Sequence, residues 1–383
     1  MHRRLAAVAL IAAVTTISAC SGAPATPAST EAPAPAASAA PSPTLPADVA
    51  KLLAARLGAM TSSEERLSGS LQVGDVRATF VGSESVNGPD SKSDLSTTVA
   101  GAVTTESHVK AAGTRYVKRG EGPWLLDTGA AASADFGSTL RDALDSATDI
   151  DASSTASTHH LQSTVQSFDP IQFGFARIGQ ASRGSATYTF VARPDGAPVS
   201  VRIEASWKQA AGANTVDAVL DVTIDFVSLD SHPTIARPDA VWSIYQSAED
   251  HYTIAYPPGY DRTRQSGIDY FFGPDSAHFA WVQRQRLPSG ATLNLLAGQE
   301  LRSLKKLVGA KSGTNDGASA DGADARLLSV TGTSKQFGAK VVVYEALVVK
   351  GKLLFSIGYF APAGNEAVDR GILNALLATF RTL

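Results

Sequence analysis

Residues 199–207 read VSVRIEASW and residues 216–226 read VDAVLDVTIDF, and in both segments an apolar residue occupies every second position. Successive side chains of a strand point to opposite faces. A period of two therefore predicts strands with one face on a core or a cavity and the other face in water. Pro194-Asp195-Gly196 precedes the first segment and predicts a hairpin turn that joins it to a strand at 188–190. The sequence thus predicts an antiparallel sheet in this region.

Upstream of the hairpin, short segments of β-type composition alternate with Gly, Asn, Asp and Pro breaks. They predict strands at Leu67–Val73, Val76–Val86, Lys92–Ala100, Val103–Ala111, Thr114–Lys118 and Trp124–Leu126. A helix is predicted before them, from apolar residues spaced three and four apart at Val49, Leu52, Leu53, Leu57 and Met60. A second helix is predicted near residues 138–147. We therefore expect residues 48–232 to form a curved antiparallel sheet with helices near its start and middle.

A second domain is predicted at residues 240–383, because Pro233 and Pro238 interrupt regular structure just before it. Strands are predicted at 242–245, 252–256, 270–272, 279–282, 325–331, 341–349 and 353–360. Two helices are predicted, one from Leu293 to Val308 and one that closes the chain. This pattern is typical of an α+β sandwich, in which helices pack against a sheet.

The first twenty residues have the pattern of a secretion signal that ends in a cysteine. Arg3 and Arg4 precede thirteen uncharged residues, Leu5–Ile17, and Ser18-Ala19 then lead to Cys20, the only cysteine of the chain. This order resembles the lipobox of bacterial lipoproteins. The resemblance implies lipidation of Cys20, removal of signal peptide 1–19, and an extracytoplasmic protein anchored by lipid to the bacterial cell membrane. The alternative is an ordinary secreted protein in which Cys20 is incidental. Because no other thiol exists, the chain can form no internal disulfide.

The segment that follows Cys20 is too polar and too rich in proline to build a core. Residues 21–47 are almost entirely Ala, Pro, Ser and Thr, with seven prolines and one charge, Glu31. Such a composition is typical of a disordered, semi-extended spacer. We therefore expect residues 20–47 to be a tether between the membrane and the folded domains.

The first domain resembles the LolA-like lipoprotein carriers, and more closely the LppX/LprG type of actinobacterial lipoproteins. The resemblance lies in the opening helix through Leu53 and Met60, in Thr114–Lys118 leading to Gly122–Leu125, and in the 195–199 turn. It implies a half-barrel sheet that wraps over helices and encloses an apolar cavity for acyl chains. The candidate lining residues are Phe80, Tyr116, Val201, Ile203, Leu220, Val222 and Ile224. The alternative is that these side chains fill an ordinary core.

The second domain resembles PsbP-like domains. The similarity is carried by Tyr252–Tyr260, by Tyr270-Phe271-Phe272-Gly273-Pro274, and by the final strand and helix. In photosynthetic organisms such domains are extrinsic photosystem subunits. In other bacteria the resemblance implies only an accessory domain without known chemistry, so the fold alone does not assign a function.

Charge and composition exclude some classes of function. The net charge is −3 and only 18% of the residues are charged, without a basic stripe, so nucleic acid is not an expected partner. His159 and His160 are adjacent, and adjacent side chains on a strand point in different directions, which makes them poor joint metal ligands. The polar loop from Asn315 to Asp324 lacks the spacing and the closing Glu of a calcium loop. The row Asp217, Asp221 and Asp225 is expected to be solvated.

No nucleophile elbow and no phosphate-binding loop occurs in the sequence. We therefore expect no enzyme, no catalytic residue, no cofactor and no metal. Two functions from different classes remain. The first is a membrane-anchored lipoprotein that binds or carries lipid, or another apolar ligand, in its first domain. The alternative is a non-catalytic structural lipoprotein that presents surfaces to other proteins of the cell envelope.

Overall fold

A computed structural model of the chain describes residues 46–127, 136–147, 149–155, 157–170, 181–211, 214–275, 277–335 and 338–383. The predicted signal peptide, Cys20 and the tether up to residue 45 lie outside the described residues. Pro46 and Ala47, predicted as the end of the tether, are the first two residues of a helix.

The described residues form four helices and 21 strands, so the chain is mostly β with an α+β composition. The helices are α1 (Pro46–Ala59), α2 (Phe136–Asp145), α3 (Leu293–Val308) and α4 (Glu366–Thr379). The strands of the amino-terminal half are β1 (Ser62–Val73), β2 (Val76–Asn87), β3 (Asp90–Val99), β4 (Ala102–Ala111), β5 (Thr114–Arg119), β6 (Trp124–Leu126), β7 (Asp149–Ser154), β8 (His159–Phe168), β9 (Gly184–Ala192), β10 (Pro198–Ala211) and β11 (Asn214–Leu229). The strands of the carboxy-terminal half are β12 (Val241–Ser247), β13 (Tyr252–Tyr256), β14 (Asp261–Gln265), β15 (Ile268–Phe272), β16 (Phe279–Arg286), β17 (Thr314–Ala320), β18 (Ala323–Ser334), β19 (Ala339–Lys350), β20 (Leu353–Pro362) and β21 (Arg381–Thr382).

The chain divides into two compact units. The first contains the described residues up to Gly120 together with those between Asp127 and Pro238, and the second contains the described residues of Glu121–Leu126 and Asp239–Leu383. The sequence predicts that segment 121–126 belongs to the first domain, whereas in the structure it belongs to the second unit. The physical reason is main-chain pairing: β6 runs parallel to β12, with Trp124 opposite Val241 and Leu125 opposite Trp242.

Ten antiparallel strands form the sheet of the first unit, in the order β5-β4-β3-β2-β1-β11-β10-β9-β8-β7. Within this unit, β5 and β7 are the first and last strands of that order and do not pair with each other, so the strands do not close into a barrel. The predicted alternation is confirmed on β10 and β11, where Val201 lies opposite Ile224 and Ile203 opposite Val222. Their apolar face packs against helices α1 and α2 in one buried cluster that includes Leu53 and Leu140.

A seven-stranded antiparallel sheet forms the centre of the second unit, in the order β14-β15-β16-β20-β19-β18-β17. One face carries a cluster with α4 and β13, including Tyr344, Ala346 and Leu376. The other face carries a cluster with α3, including Val343, Leu347 and Leu304. Residues 341–348 on β19 are all buried, because the sheet is covered on both faces at this strand.

Every predicted strand and helix has a counterpart in the structure, and four strands of five or more residues are not among those predicted. Three of these, β7, β14 and β17, stand at sheet ends within their units and are mostly polar and exposed. An edge strand has one neighbour and little apolar burial, so periodicity does not reveal it. The fourth, β8, does alternate, but two of its buried positions are polar, His159 and Ser163.

Candidate ligand-binding groove

Six of the seven predicted lining residues of the first domain lie together in its buried core. Phe80, Val201, Ile203, Leu220, Val222 and Ile224 belong to one cluster and are each at most 4% exposed. Leu53 and Leu57 of α1, with Leu140 and Leu144 of α2, belong to the same cluster. This is the arrangement of a packed core. Ligand binding by these six residues stays a prediction.

Tyr116, the seventh residue, lies on the opposite face of the sheet. Residues directly opposite each other on neighbouring strands share a face. From Phe80, the register passes through Thr97 on β3 and Thr104 on β4, so the β5 residues on this face have odd numbers, like Val117. Tyr116 is buried on the other face, where the guanidinium of Arg237 lies 5.5 Å from its ring centre. The structure therefore does not bring Tyr116 to the other six.

Two buried carboxyl groups stand on the core-facing side of the same sheet. Glu65 on β1 lies directly opposite Glu84 on β2, and they are 4% and 3% exposed. Burial raises the pKa of Glu65 to about 7, although a hydrogen bond from the Ser63 hydroxyl opposes the shift. Burial and the neighbouring Glu65 carboxyl raise the pKa of Glu84 well above its usual range. Ionising both facing carboxyl groups would place two negative charges side by side in a buried site, which costs free energy. At least one of them therefore holds a proton at neutral pH.

The second unit contains a groove of about 430 Å³ between α3 and the face of the seven-stranded sheet. The groove is lined by apolar and aromatic side chains with a few polar groups: Ile268, Tyr270, Phe279, Trp281, Gln283, Gln285, Leu296, Gln299, Glu300, Leu304, Leu307, Val343, Glu345, Leu347, Leu354, Ser356 and Phe360. Its size and lining are typical of sites for small ligands.

Helix α3 presents one face to the groove because of its residue spacing and its caps. Leu296, Glu300 and Leu304 recur every four residues and so lie on one side of the helix. The Thr292 hydroxyl accepts a hydrogen bond from the Leu295 amide at the start of α3, and Gly309 ends it in a left-handed conformation with φ 63°. The start and end of this wall are therefore fixed locally by the sequence.

The floor of the groove contains one row of residues that crosses four strands. Tyr270 lies opposite Trp281, Trp281 opposite Gly358, and Gly358 opposite Glu345. A β-carbon at Gly358 would lie 2.0 Å from Cζ2 of Trp281. The absent side chain at Gly358 is therefore what lets the indole lie across β20, towards Glu345.

A short hydrogen-bonded chain links three side chains of this floor. The indole N–H of Trp281 donates to the Ser356 hydroxyl over 3.1 Å, and that hydroxyl donates to Oε1 of Glu345. Glu345 is 4% exposed, and its burial, with the nearby Glu300 carboxyl, raises its pKa to about 8. Burial also raises the pKa of Glu300. The carboxyl of Glu345 thus holds a proton at neutral pH, and the described residues that line the groove include no Lys, Arg or His side chain.

No residue of this groove is among the functional candidates that the sequence predicts. A signal does exist: Glu345 interrupts the apolar run VVVYEALVV at 341–349, and Ser356 and Gly358 interrupt LLFSIGYF at 353–360. A charged residue inside a strand that is buried on both faces requires a special environment. Which residues form that environment depends on the strand register, and the sequence does not give it.

The described residues contain no group of three or more His, Cys, Asp or Glu side chains that could hold a metal ion. The nitrogens of His159 lie 2.8 Å from the Ser154 hydroxyl and 3.3 Å from the Pro194 carbonyl oxygen. Residues 314–334 are a hairpin of β17 and β18, and Asp321 contacts Lys350 and Thr382. In the part of the chain that the structure describes, no helix is long and apolar enough to cross a membrane.

The predicted acidic row on β11 is paired in part with basic side chains of β10. Lys208 Nζ lies 2.5 Å from Asp217, and Arg202 Nε lies 2.9 Å from Asp221. These pairs are exposed, and exposed pairs contribute little to stability. The row is thus a charged outer surface of the sheet.

No protein-family profile matches the chain, and no curated protein matches it. Among solved structures, it is similar to the cyanobacterial PsbP (CyanoP) from Synechocystis sp. PCC 6803, with 13% identity and a TM-score of 0.31, over 39% of this chain and 98% of that chain. It is also similar to a DUF1329 family protein from Desulfovibrio piger ATCC 29098, with 12% identity and a TM-score of 0.21, over 50% of this chain and 96% of that chain. At these TM-scores neither likeness carries an argument about function.

Proposed function

We propose that this protein is a non-catalytic, lipid-anchored extracytoplasmic protein that binds a small, mainly apolar ligand, and that the groove beside α3 is its binding site. The observation that carries the proposal is the groove itself. Aromatic and aliphatic side chains from one helix and four strands meet there without filling the space between them. Several of these side chains remain half-exposed, including Tyr270, Phe279 and Trp281.

The location of the proposed site differs from that expected from the sequence. In the first unit, the predicted lining residues pack against α1 and α2, and we propose that they stabilise the fold of a half-barrel sheet. In the second unit, Leu307 is 65% exposed although it lines the groove. Covering such a residue with a ligand would remove apolar surface from water at about 25 cal/mol per Å². Binding is therefore favoured at the groove.

Three features support the lipid anchor and a PsbP-like α+β sandwich in the second unit, which is a further part of the proposal. The lipobox-like segment that ends at Cys20 supports membrane attachment, and the composition of residues 21–45 supports a tether. The central sheet with a helix on each face supports an α+β sandwich for the second unit. A structural lipoprotein without a ligand is the alternative, and it predicts that the groove binds nothing.

The test is the binding of N-phenyl-1-naphthylamine, a neutral apolar dye whose fluorescence rises in apolar sites. Gln299→Trp places a large side chain at the rim of the groove, whereas Arg302→Trp places the same side chain on an exposed part of α3 that does not line it. We expect the unaltered chain and the R302W variant to bind the dye equally. We expect the Q299W variant to bind it at least about tenfold more weakly, a loss of about 1.4 kcal/mol. Equal binding by all three proteins would contradict the groove as the site.

A further inference from the structure

The ionisable side chains among the described residues that line the groove are all acids. Its described lining contains two carboxyl groups, those of Glu300 and Glu345, and no Lys, Arg or His side chain. Glu345 lies at the floor and Glu300 on the helix wall, so the two acids face the groove from different elements. Elsewhere in this unit, the buried Asp269 is paired with Arg262 and Arg264. Asp269 is thus neutralised by two arginines, whereas Glu300 and Glu345 have no basic side chain among the described residues that line the groove.

The aromatic lining adds a second preference for positive charge. The faces of Trp and Tyr rings carry negative potential and attract cations. Tyr270 and Trp281 are neighbours in the same row as Glu345. A cation bound over this row would therefore meet ring faces and a carboxyl group together, while Leu296, Leu307 and Leu354 would contact an attached alkyl chain.

The same charges disfavour an anionic ligand. A fatty-acid carboxylate in this groove would lie near two carboxyl groups and would find no basic side chain among the described lining residues. The neutral Glu345 carboxyl offers such a ligand no positive charge, and an ionised Glu300 beside it would repel the ligand. The ligand chemistry that fits the groove is thus the reverse of that expected for a carrier of free fatty acids.

We propose that the ligand of this groove is a cationic amphiphile, a primary or quaternary amine on a short apolar chain. Its cation would contact the carboxyl groups of Glu345 and Glu300, and the rings of Tyr270 and Trp281. The inference rests on the proposed binding function and adds to it the charge class of the ligand. The raised pKa of Glu345 supports it, because a buried carboxyl that accepts a hydrogen bond from Ser356 but has no basic partner among the groove residues would ionise beside a bound cation.

The experiment is displacement of N-phenyl-1-naphthylamine from the full chain by three ligands of equal length: octylamine, octanol and octanoate. We expect octylamine to displace the dye at a concentration about tenfold lower than octanol, and octanoate to be the weakest of the three. Glu345→Gln keeps the shape of the floor and should bring octylamine to the level of octanol. Glu300→Gln should reduce the same preference in part. Glu366→Gln changes an exposed acid on α4, which packs against the other face of the sheet, and should change nothing.

The outcomes separate this inference from the proposed function. If the dye binds and octylamine is no better than octanol, or octanoate is the best competitor, the groove binds apolar ligands and the charge inference is wrong. A preference for octylamine that survives in both the E345Q and the E300Q variants also overturns it. If the dye does not bind to a chain whose circular dichroism is native, the proposed function fails as well. Two independent acid variants keep the test decisive if one of them does not fold.

Discussion

Three glutamates of this protein are buried on sheet faces that pack against the interior. Glu65, Glu84 and Glu345 are each 3–4% exposed, and burial is the largest cause of the raised pKa of each. A buried carboxyl is stable as the neutral acid, because transfer of its charge out of water costs far more than transfer of the protonated form. The three residues should therefore make the stability of the protein depend on pH near neutrality.

The first prediction concerns the pair of Glu65 and Glu84. A carboxyl whose pKa is raised on folding contributes its full stability below the unfolded value, here 4.5, and loses it as the pH rises through the folded value, which is about 7 for Glu65. We expect Glu84→Gln to remove the like-charge contact. The variant should be more stable than the unaltered chain by about 1–3 kcal/mol above pH ~8, and should differ little from it below pH ~4.5.

Hydrogen exchange of the peptides that contain β1 and β2 measures this effect within the first unit. Glu204→Gln is the matched control, because Glu204 is an exposed acid on β10 of the same sheet. The control should show the pH dependence of the unaltered chain. An E84Q profile that runs parallel to the control at all pH values would show that the pair is not the source of the pH dependence.

At the scale of the element, strand β14 shows how a segment without an apolar pattern is held in a sheet. Its sequence is DRTRQ, and it pairs only with β15 among the described strands. Two of its side chains reach one fully buried acid on β15: Arg262 Nη2 lies 2.6 Å and Arg264 Nη1 lies 2.9 Å from the carboxylate of Asp269. The Tyr252 hydroxyl donates to the same carboxylate over 2.5 Å. Burial alone would raise the pKa of Asp269, but these hydrogen bonds and charges outweigh it and hold the pKa below its usual range.

The second prediction follows from this ion cluster. Asp269→Asn removes the charge that two arginines share, and breaking a buried ion pair on one side typically costs about 3–5 kcal/mol. We expect a loss of this size in urea denaturation of the second unit, together with faster hydrogen exchange in β14. Asp261→Asn alters an exposed acid at the start of β14 and should cost less than about 0.5 kcal/mol. Similar losses in both variants would show that the cluster does not hold the strand.

These elements also show what a single sequence can predict. The alternation on β10 and β11 reports burial of one sheet face, so the strands and their inward residues follow from the residues themselves. Strand β14 depends on a contact with Asp269, and the groove depends on the register that places Trp281, Gly358 and Glu345 in one row. Both are relations between strands that no local period encodes. The same limit applies to Tyr116. Its apolar ring predicts that the residue is buried, as it is, but does not specify which face of the sheet it lies on.

At the scale of the whole molecule, each compact unit has its own buried clusters. The first unit has one such cluster with α1 and α2, and the second has two clusters on the faces of its central sheet. The candidate groove belongs to the second unit alone, since all its lining residues lie between Ile268 and Phe360. Ligand binding should therefore be independent of membrane attachment, which is expected from Cys20. The anchor and the groove can be tested separately.

The last prediction concerns the anchor. Cys20→Ser removes the thiol that would carry the lipid, and two or three acyl chains at about 0.8 kcal/mol per buried CH2 are what would make attachment stable. We expect this variant to leave the membrane fraction, to lose labelling by a radioactive fatty acid, and to bind N-phenyl-1-naphthylamine as before. Adding Ser29→Cys to the C20S variant places a thiol at another position of the tether. This thiol should restore neither membrane fractionation nor fatty-acid labelling, because only residue 20 follows the lipobox-like segment. Continued membrane fractionation with fatty-acid labelling in the C20S variant would show that Cys20 is not the anchor.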